Sequence, residues 1–251
     1  MRSVSFKKQT PHQAVELQKR MRDRVVVEPL RIGRLRWVAG ADLSYDISEI
    51  NSAGLRARRN SDVVYAGIVV MTFPELQVVE QRVVSVRVKF PYIPGLLSFR
   101  ESPPILEAWE TLTVKPDVLL VDGHGRAHPR RFGIACHLGL LLNTPTVGVG
   151  KSILVGEYRP QDLRMRRGSS VPLKEGSETI GLALRTREGV NPVFVSIGHR
   201  TNLTSAKKLV LQCASRYRLP EPIRLAHNLV NAARRGRISL SDNPGLSASS
   251  I

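Results

Sequence analysis

The chain has 251 residues and a net charge of +17, long enough to bury a substantial core at about 150 residues per domain and basic enough to point to a polyanionic partner. Its two cysteines, Cys136 and Cys213, sit in apolar runs without metal-ligand spacing, which excludes a disulfide scaffold or a zinc site. No apolar leader follows Met1 and no run of about 18 apolar residues occurs, so the expectation is a soluble, cytoplasmic, monomeric protein forming one domain over 1–251.

Thr10-Pro11 is a helix start, a capping residue followed by proline at the first helical position, and predicts an outer helix to about residue 25. Residues 37–43, 63–72 and 78–88 read as three strands, the last two joined by a turn over 73–76, and suggest an antiparallel meander. Residues 90–95 break this pattern. Pro91 and Pro94 fix their own φ, and Ile93 before proline is pushed to extended backbone, so a stiff, non-helical ridge carrying Tyr92 is predicted. A helix over 104–112, a strand over 117–121, a helix over 132–142 and a strand over 146–149 follow in a βαβ rhythm that implies parallel pairing. Residues 159–178 read as a loop, and 180–186 and 192–197 as strands. Ala206, Leu209, Val210, Cys213, Ala214 and Tyr217 trace one helical face. A last helix opening at Glu221-Pro222 carries Ile223, Ala226, His227 and Val230 inward, and the Ser- and Gly-containing stretch 241–250 reads as a disordered tail.

Several of these positions carry chemistry. Asp42 interrupts an apolar strand, where a carboxylate is costly unless paired or bound to a cation; the alternative is a strand-end residue facing water. Asp122 closes an apolar run and precedes Gly123-His124-Gly125-Arg126-Ala127-His128. In α/β sheets ligands bind at the carboxyl ends of strands, against the plainer reading of an Asp-Gly turn. Glu101, next to Arg100, is by itself a surface charge, and His227 by itself a core histidine. Lys151 in Gly148-Val149-Gly150-Lys151-Ser152 invites a phosphate-loop reading, but that motif needs glycine where Pro145 stands, which excludes it. Together, Asp42, Glu101, Asp122 and His227 have a logic. Phosphodiester hydrolysis needs an activated water and neutralised charge at the attacked phosphate, and two Mg²⁺ ions about 4 Å apart on a few carboxylates supply both. Carboxylates without thiolates favour Mg²⁺, with Mn²⁺ as a substitute. Basic clusters at Arg56 with Arg58-Arg59, Arg164 with Arg166-Arg167, and Arg234-Arg235 with Arg237 read either as solvated surface or as phosphate contacts.

One combination of motifs resembles the endonuclease V family, nucleases that act at deaminated adenine. It consists of Val38-Ala39-Gly40-Ala41-Asp42, Pro91-Tyr92-Ile93-Pro94-Gly95 running on to Arg100-Glu101, Asp122-Gly123-His124-Gly125, Pro145-Thr146-Val147-Gly148-Val149 with Lys151-Ser152, Ser196-Ile197-Gly198-His199-Arg200, and Arg218-Leu219-Pro220-Glu221-Pro222. The resemblance spans about residues 10–235 and leaves 238–251 as a tail outside it.

The resemblance implies an α/β, ribonuclease H-like fold: a mixed central sheet, three antiparallel strands continued by parallel ones, flanked by helices. It implies that Asp42 and Asp122 are the principal metal ligands, Glu101 a further carboxylate of the site, and His227 the family's late metal-site position, which is Asp in some members. Lys151 would face the scissile phosphate, Gly125 and His128 would help form the pocket for the modified base, and Pro91, Tyr92, Ile93 and Pro94 would be the wedge that enters the duplex at the lesion. The implied reaction is Mg²⁺-dependent hydrolysis of the second phosphodiester bond 3′ to deoxyinosine in DNA, leaving 3′-hydroxyl and 5′-phosphate ends. The alternatives are the same chemistry mainly on inosine-containing RNA, or a non-catalytic basic nucleic-acid-binding protein.

Overall fold

The computed structural model describes residues 9–46 and 62–238. The basic cluster at Arg56–Arg59 and the tail over 241–250 lie outside the described residues.

Alternating and continuous apolar runs build one eight-stranded sheet. Its strands are β1 (Trp37–Tyr45), β2 (Val63–Thr72), β3 (Val78–Arg87), β4 (Val118–Asp122), β5 (Thr146–Gly150), β6 (Ser170–Glu175), β7 (Glu178–Leu184) and β8 (Val193–His199), in the order β3-β2-β1-β4-β5-β8-β7-β6. The meander β1-β2-β3 is antiparallel, as its patterning predicts. β4 then pairs in parallel with β1, and β5 with β4. Beyond β5 the sheet turns antiparallel again, through β8, β7 and β6.

Side chains that alternate along the strands feed two main cores among the described residues, with a smaller one under β6 and β7. On one face Val38, Val69, Leu120 and Val147 meet α4 (Leu203–Cys213) and α5 (Glu221–Arg234) through Leu209, Val210, Ile223, Ala226 and Val230. On the other, Ala39, Ala41, Ile68, Leu119 and Val121 meet α2 (Leu97–Glu110) and α3 (Ile134–Leu142) through Ile105, Ala108, Ile134 and Leu138. Burial on both faces is why the central strands read as nearly unbroken hydrophobic runs. The remaining helix, α1 (Pro11–Arg22), is closed by a capping box in which Thr10 Oγ1 accepts from Gln13 N and Gln13 Oε1 accepts from Thr10 N. It packs Ala14 into a small cluster with Leu96 and Phe99.

Gly40 sets how closely α5 can approach. A Cβ there would sit 2.1 Å from the carbonyl carbon of Pro222, so only glycine lets the first turn of α5 rest on β1.

Four expectations are corrected. The helix expected from residue 104 begins at Leu97 and contains both Pro103 and Pro104; proline lacks the N–H of a helix interior, but the buried face made by Phe99, Ile105 and Trp109 holds the helix through it. The expected loop over 159–178 contains a 3₁₀ turn at Pro160–Asp162 and the strand β6, which forms a hairpin with β7. Their alternation is masked by polar outward residues. Ala214 and Tyr217 lie past the end of α4, and Tyr217 is exposed with the Arg224 guanidinium 4.3 Å over its ring. His227 does not point into the core: its side chain is 47% exposed and faces the carboxyl end of β1.

Candidate active site at the ends of β1 and β4

The parallel register of β1 and β4 pairs Ala41 with Val121, and the next residue on each strand is an aspartate. Asp42 and Asp122 therefore stand side by side at the sheet's carboxyl edge. Asp42 is only 7% exposed and accepts from Leu43 N at 2.8 Å. Asp122 accepts from Lys151 Nζ, since Lys151 follows β5 directly and Val149 of β5 pairs with Asp122. Burial pushes the Asp122 carboxyl up to about 6, Asp42 adds to that, and the Lys151 ammonium works against it.

Glu101 arrives from the other face of the sheet, on α2. It is not the surface charge its neighbourhood suggests: Arg100 is 2% exposed, and Glu101 Oε1 accepts from Tyr45 Oη at 2.7 Å. Burial raises Glu101 to about 7, relieved in part by Tyr45 and reinforced by the nearby charges of Asp42 and Asp122. Burial and Glu101 in turn push the Tyr45 hydroxyl above its ordinary value. From α5, His227 Nδ1 lies 2.7 Å from Asp42 Oδ2, and its Nε2 lies 3.2 Å from Asn231 Nδ2.

One ligand atom each from Asp42, Asp122 and His227 lies within 4.8 Å of the others, with Glu101 alongside. Three carboxylates brought together out of water destabilise one another, and a divalent cation is what such a set of hard oxygen donors accommodates. The donor chemistry thus fits a divalent metal.

The ridge lies next to this cluster. A pocket of about 160 Å³ is lined by Tyr92, Pro94, Glu101, His124, His128 and Leu154, among others. The ridge is tied down at both ends. Arg100 Nη1 donates to Phe90 O, while Gln18 Nε2 at 3.0 Å and Arg130 Nη2 at 2.5 Å donate to Gly95 O. His128 joins them. Its Nδ1 accepts from Arg130 N at 3.2 Å, which leaves Nε2 as the donor, 3.0 Å from Gly95 O. Burial, with Arg130 nearby, pushes the His128 ring down to about 4, so it is neutral at neutral pH. Ile93 packs into the α1 cluster while Pro91 and Pro94 are exposed.

Gly125 is not among the residues that line this pocket. A Cβ there would meet Ile197 O at 1.9 Å, and Gly125 N donates to Ser196 Oγ at 2.8 Å. Its lack of a side chain lets the 123–133 loop lie against β8.

The sequence profile of the endonuclease V family matches residues 19–228. The chain belongs to the endonuclease V family. Endonuclease V of Gloeobacter violaceus is 49% identical over 241 residues, covering 95% of this chain and 92% of that protein. The crystal structure of Streptomyces avermitilis endonuclease V, 40% identical, superposes with a TM-score of 0.82 over 92% of this chain and 95% of that one. That of a Ciona intestinalis endonuclease V, solved with a 23-mer DNA containing an inosine followed by a ribo-adenosine, is 29% identical with a TM-score of 0.78, over 92% of this chain and all of that one. Membership in endonuclease V makes the chain a nuclease acting on phosphodiester bonds, built on the mixed, helix-flanked sheet described above.

Against this endonuclease V fold, the structure gathers Asp42, Asp122, His227, Glu101 and Lys151 at one sheet edge, with Tyr92, Pro94 and His128 at the adjoining pocket. Sequence reasoning missed Tyr45, Gln18, Arg130 and Leu154. Tyr45 had a usable signal: it shares the strand parity of Ala39 and Ala41, and so faces the helix that carries Glu101. The other three meet the site only through tertiary contacts.

Proposed function

We propose that this chain nicks DNA at deoxyinosine, hydrolysing the second phosphodiester bond 3′ to the lesion with Mg²⁺, or Mn²⁺ in its place, and leaving 3′-hydroxyl and 5′-phosphate ends. The observation that carries the reading is the convergence of Asp42, Asp122 and His227 within 4.8 Å, directly beside a pocket bounded by a rigid ridge. Asp42 and Asp122 hold the metal, His227 completes the donor set from α5, and Glu101 adds a carboxylate from α2. Bound divalent ions supply an acidified water and neutralise charge at the phosphate. Lys151, one strand over, presents its ammonium where a phosphate oxygen bears negative charge.

Tyr92, on its proline-flanked ridge, enters the stack at the lesion, and the displaced base is received by the pocket of His128 and Leu154. Unstacking costs a few kcal/mol, and a tip already fixed by Gln18, Arg100 and Arg130 adds no ordering cost to it. The support for DNA is the Ciona relative's complex with an inosine-containing strand. A purely binding role has no use for buried carboxylates facing a polyanion. Asp42→Asn and Asp122→Asn are each expected to abolish nicking of an inosine strand while leaving its binding largely intact; cleavage retained by both would refute the metal-site assignment.

A further inference from the structure

A second pocket adjoins the ridge, of about 270 Å³, formed by Val86, Phe90, Pro91 and Phe99 together with Arg87 and Lys89. The two pockets use opposite faces of α2: Phe99 and Pro103 line this one, Ser98 and Glu101 the one beside the carboxylates, and at 3.6 residues per turn these pairs point apart. The ridge runs between them. The partly exposed Phe90 ring lies 5.7 Å from the buried Phe99 ring that backs it, and both Arg87 and Lys89 are exposed at the rim. Aromatic and apolar surface with flanking cations is the chemistry that holds a nucleobase with its phosphate.

A rigid tip that parts a duplex leaves two unpaired bases, one on each strand, and only one of the two pockets adjoins the carboxylates. We propose that the Val86–Phe90–Phe99 pocket receives the base opposite the lesion, on the strand that is not cut. The site makes the protein a reader of both strands, with one base held on each flank of the ridge. This inference rests on the wedge reading of Tyr92.

The test compares affinities, measured in chelator so that nothing is cut, for a single inosine strand and for the same strand paired with thymine opposite the inosine. Val86→Trp fills the pocket from β3 and removes no charge. It should weaken duplex binding about tenfold, the scale of one lost stacking contact, while single-strand affinity and Mg²⁺-dependent cutting of the single strand match wild type. Arg87→Ala with Lys89→Ala should move the duplex-to-single-strand ratio in the same direction. An abasic site opposite the inosine should weaken wild type and leave Val86→Trp unaffected. Equal losses on both substrates would place the contact on the cut strand and overturn the proposal, as would unchanged duplex affinity. If wild type fails to cut inosine strands at all, the proposed function fails, and the affinity comparison still decides the pocket.

Discussion

Tyr92 is held where a probe is useful, between two exposed prolines, with Ile93 anchoring the ridge underneath and Gly95 O gripped by Gln18, Arg130 and His128. Tyr92→Ala should therefore cost about 1–3 kcal/mol of binding to inosine strands, the scale of a lost base–aromatic contact, and leave metal binding unchanged. Equal discrimination between inosine and adenine in the variant and in wild type would refute the wedge. Gln18 offers a separate check on rigidity. It is fully buried and links α1 to the carbonyls of Gly95 and Phe132, so Gln18→Leu should lower stability by about 1–3 kcal/mol, read from urea unfolding, and reduce lesion selectivity together with it. At this scale the sequence was most readable where a residue contradicts its surroundings. Asp42 and Asp122 stand out from apolar strands, whereas Glu101 and Tyr45 look ordinary until β1 and α2 are packed together.

The elements explain why those residues meet. The ridge runs straight into α2, so Tyr92 and the carboxylate Glu101 belong to one stiff piece of chain, and α5 brings His227 to Asp42 only because Gly40 admits Pro222 against β1. Gly40→Ala should destabilise the protein by about 3 kcal/mol through overpacking, and the nicking rate should fall further than the loss of folded protein accounts for, because His227 is carried away from Asp42. Arg218 lies on the other side of the site and ties down the backbone of Lys151. Its Nη2 donates to Lys151 O and to Pro192 O, both at 2.8 Å, so Arg218→Ala should slow single-turnover cutting about tenfold with little change in strand affinity. Strand periodicity located the meander and the βαβ core closely, since both rest on local patterning. The start of α2 was hidden by its two internal prolines and is decided by the burial of Phe99, Ile105 and Trp109; β6 was hidden by its polar outward residues, although Gly176-Ser177, between it and β7, is a two-residue hairpin signal.

Across the whole molecule two electrostatic effects are legible. The net charge of +17 should make strand binding fall steeply with salt through counterion release. Acid stability is governed in part by His137, fully buried against the Phe99 and Phe132 rings, where burial pushes its imidazole down from 6.5 to about 4. Between those values the unfolded chain takes a proton that the folded chain refuses, so the stability present above pH 6.5 is lost as pH falls through 4, by about 3 kcal/mol. Glu101 and Asp122 act with opposite sign, so the effect is read as a difference: wild type should lose about 3 kcal/mol more than His137→Phe between pH 7 and pH 4. No helix among the described residues is long and apolar enough to cross a membrane. The central claim, a metal-dependent cut set at a fixed distance from inosine, is tested most directly on end-labelled DNA and RNA strands, each with one inosine, incubated with Mg²⁺ or with chelator. A single product ending one nucleotide beyond the inosine, formed on DNA and only with Mg²⁺, is the predicted result; a product on RNA alone would move the substrate to RNA, and no cut at that position on either strand, or cutting that survives the chelator, would contradict the account.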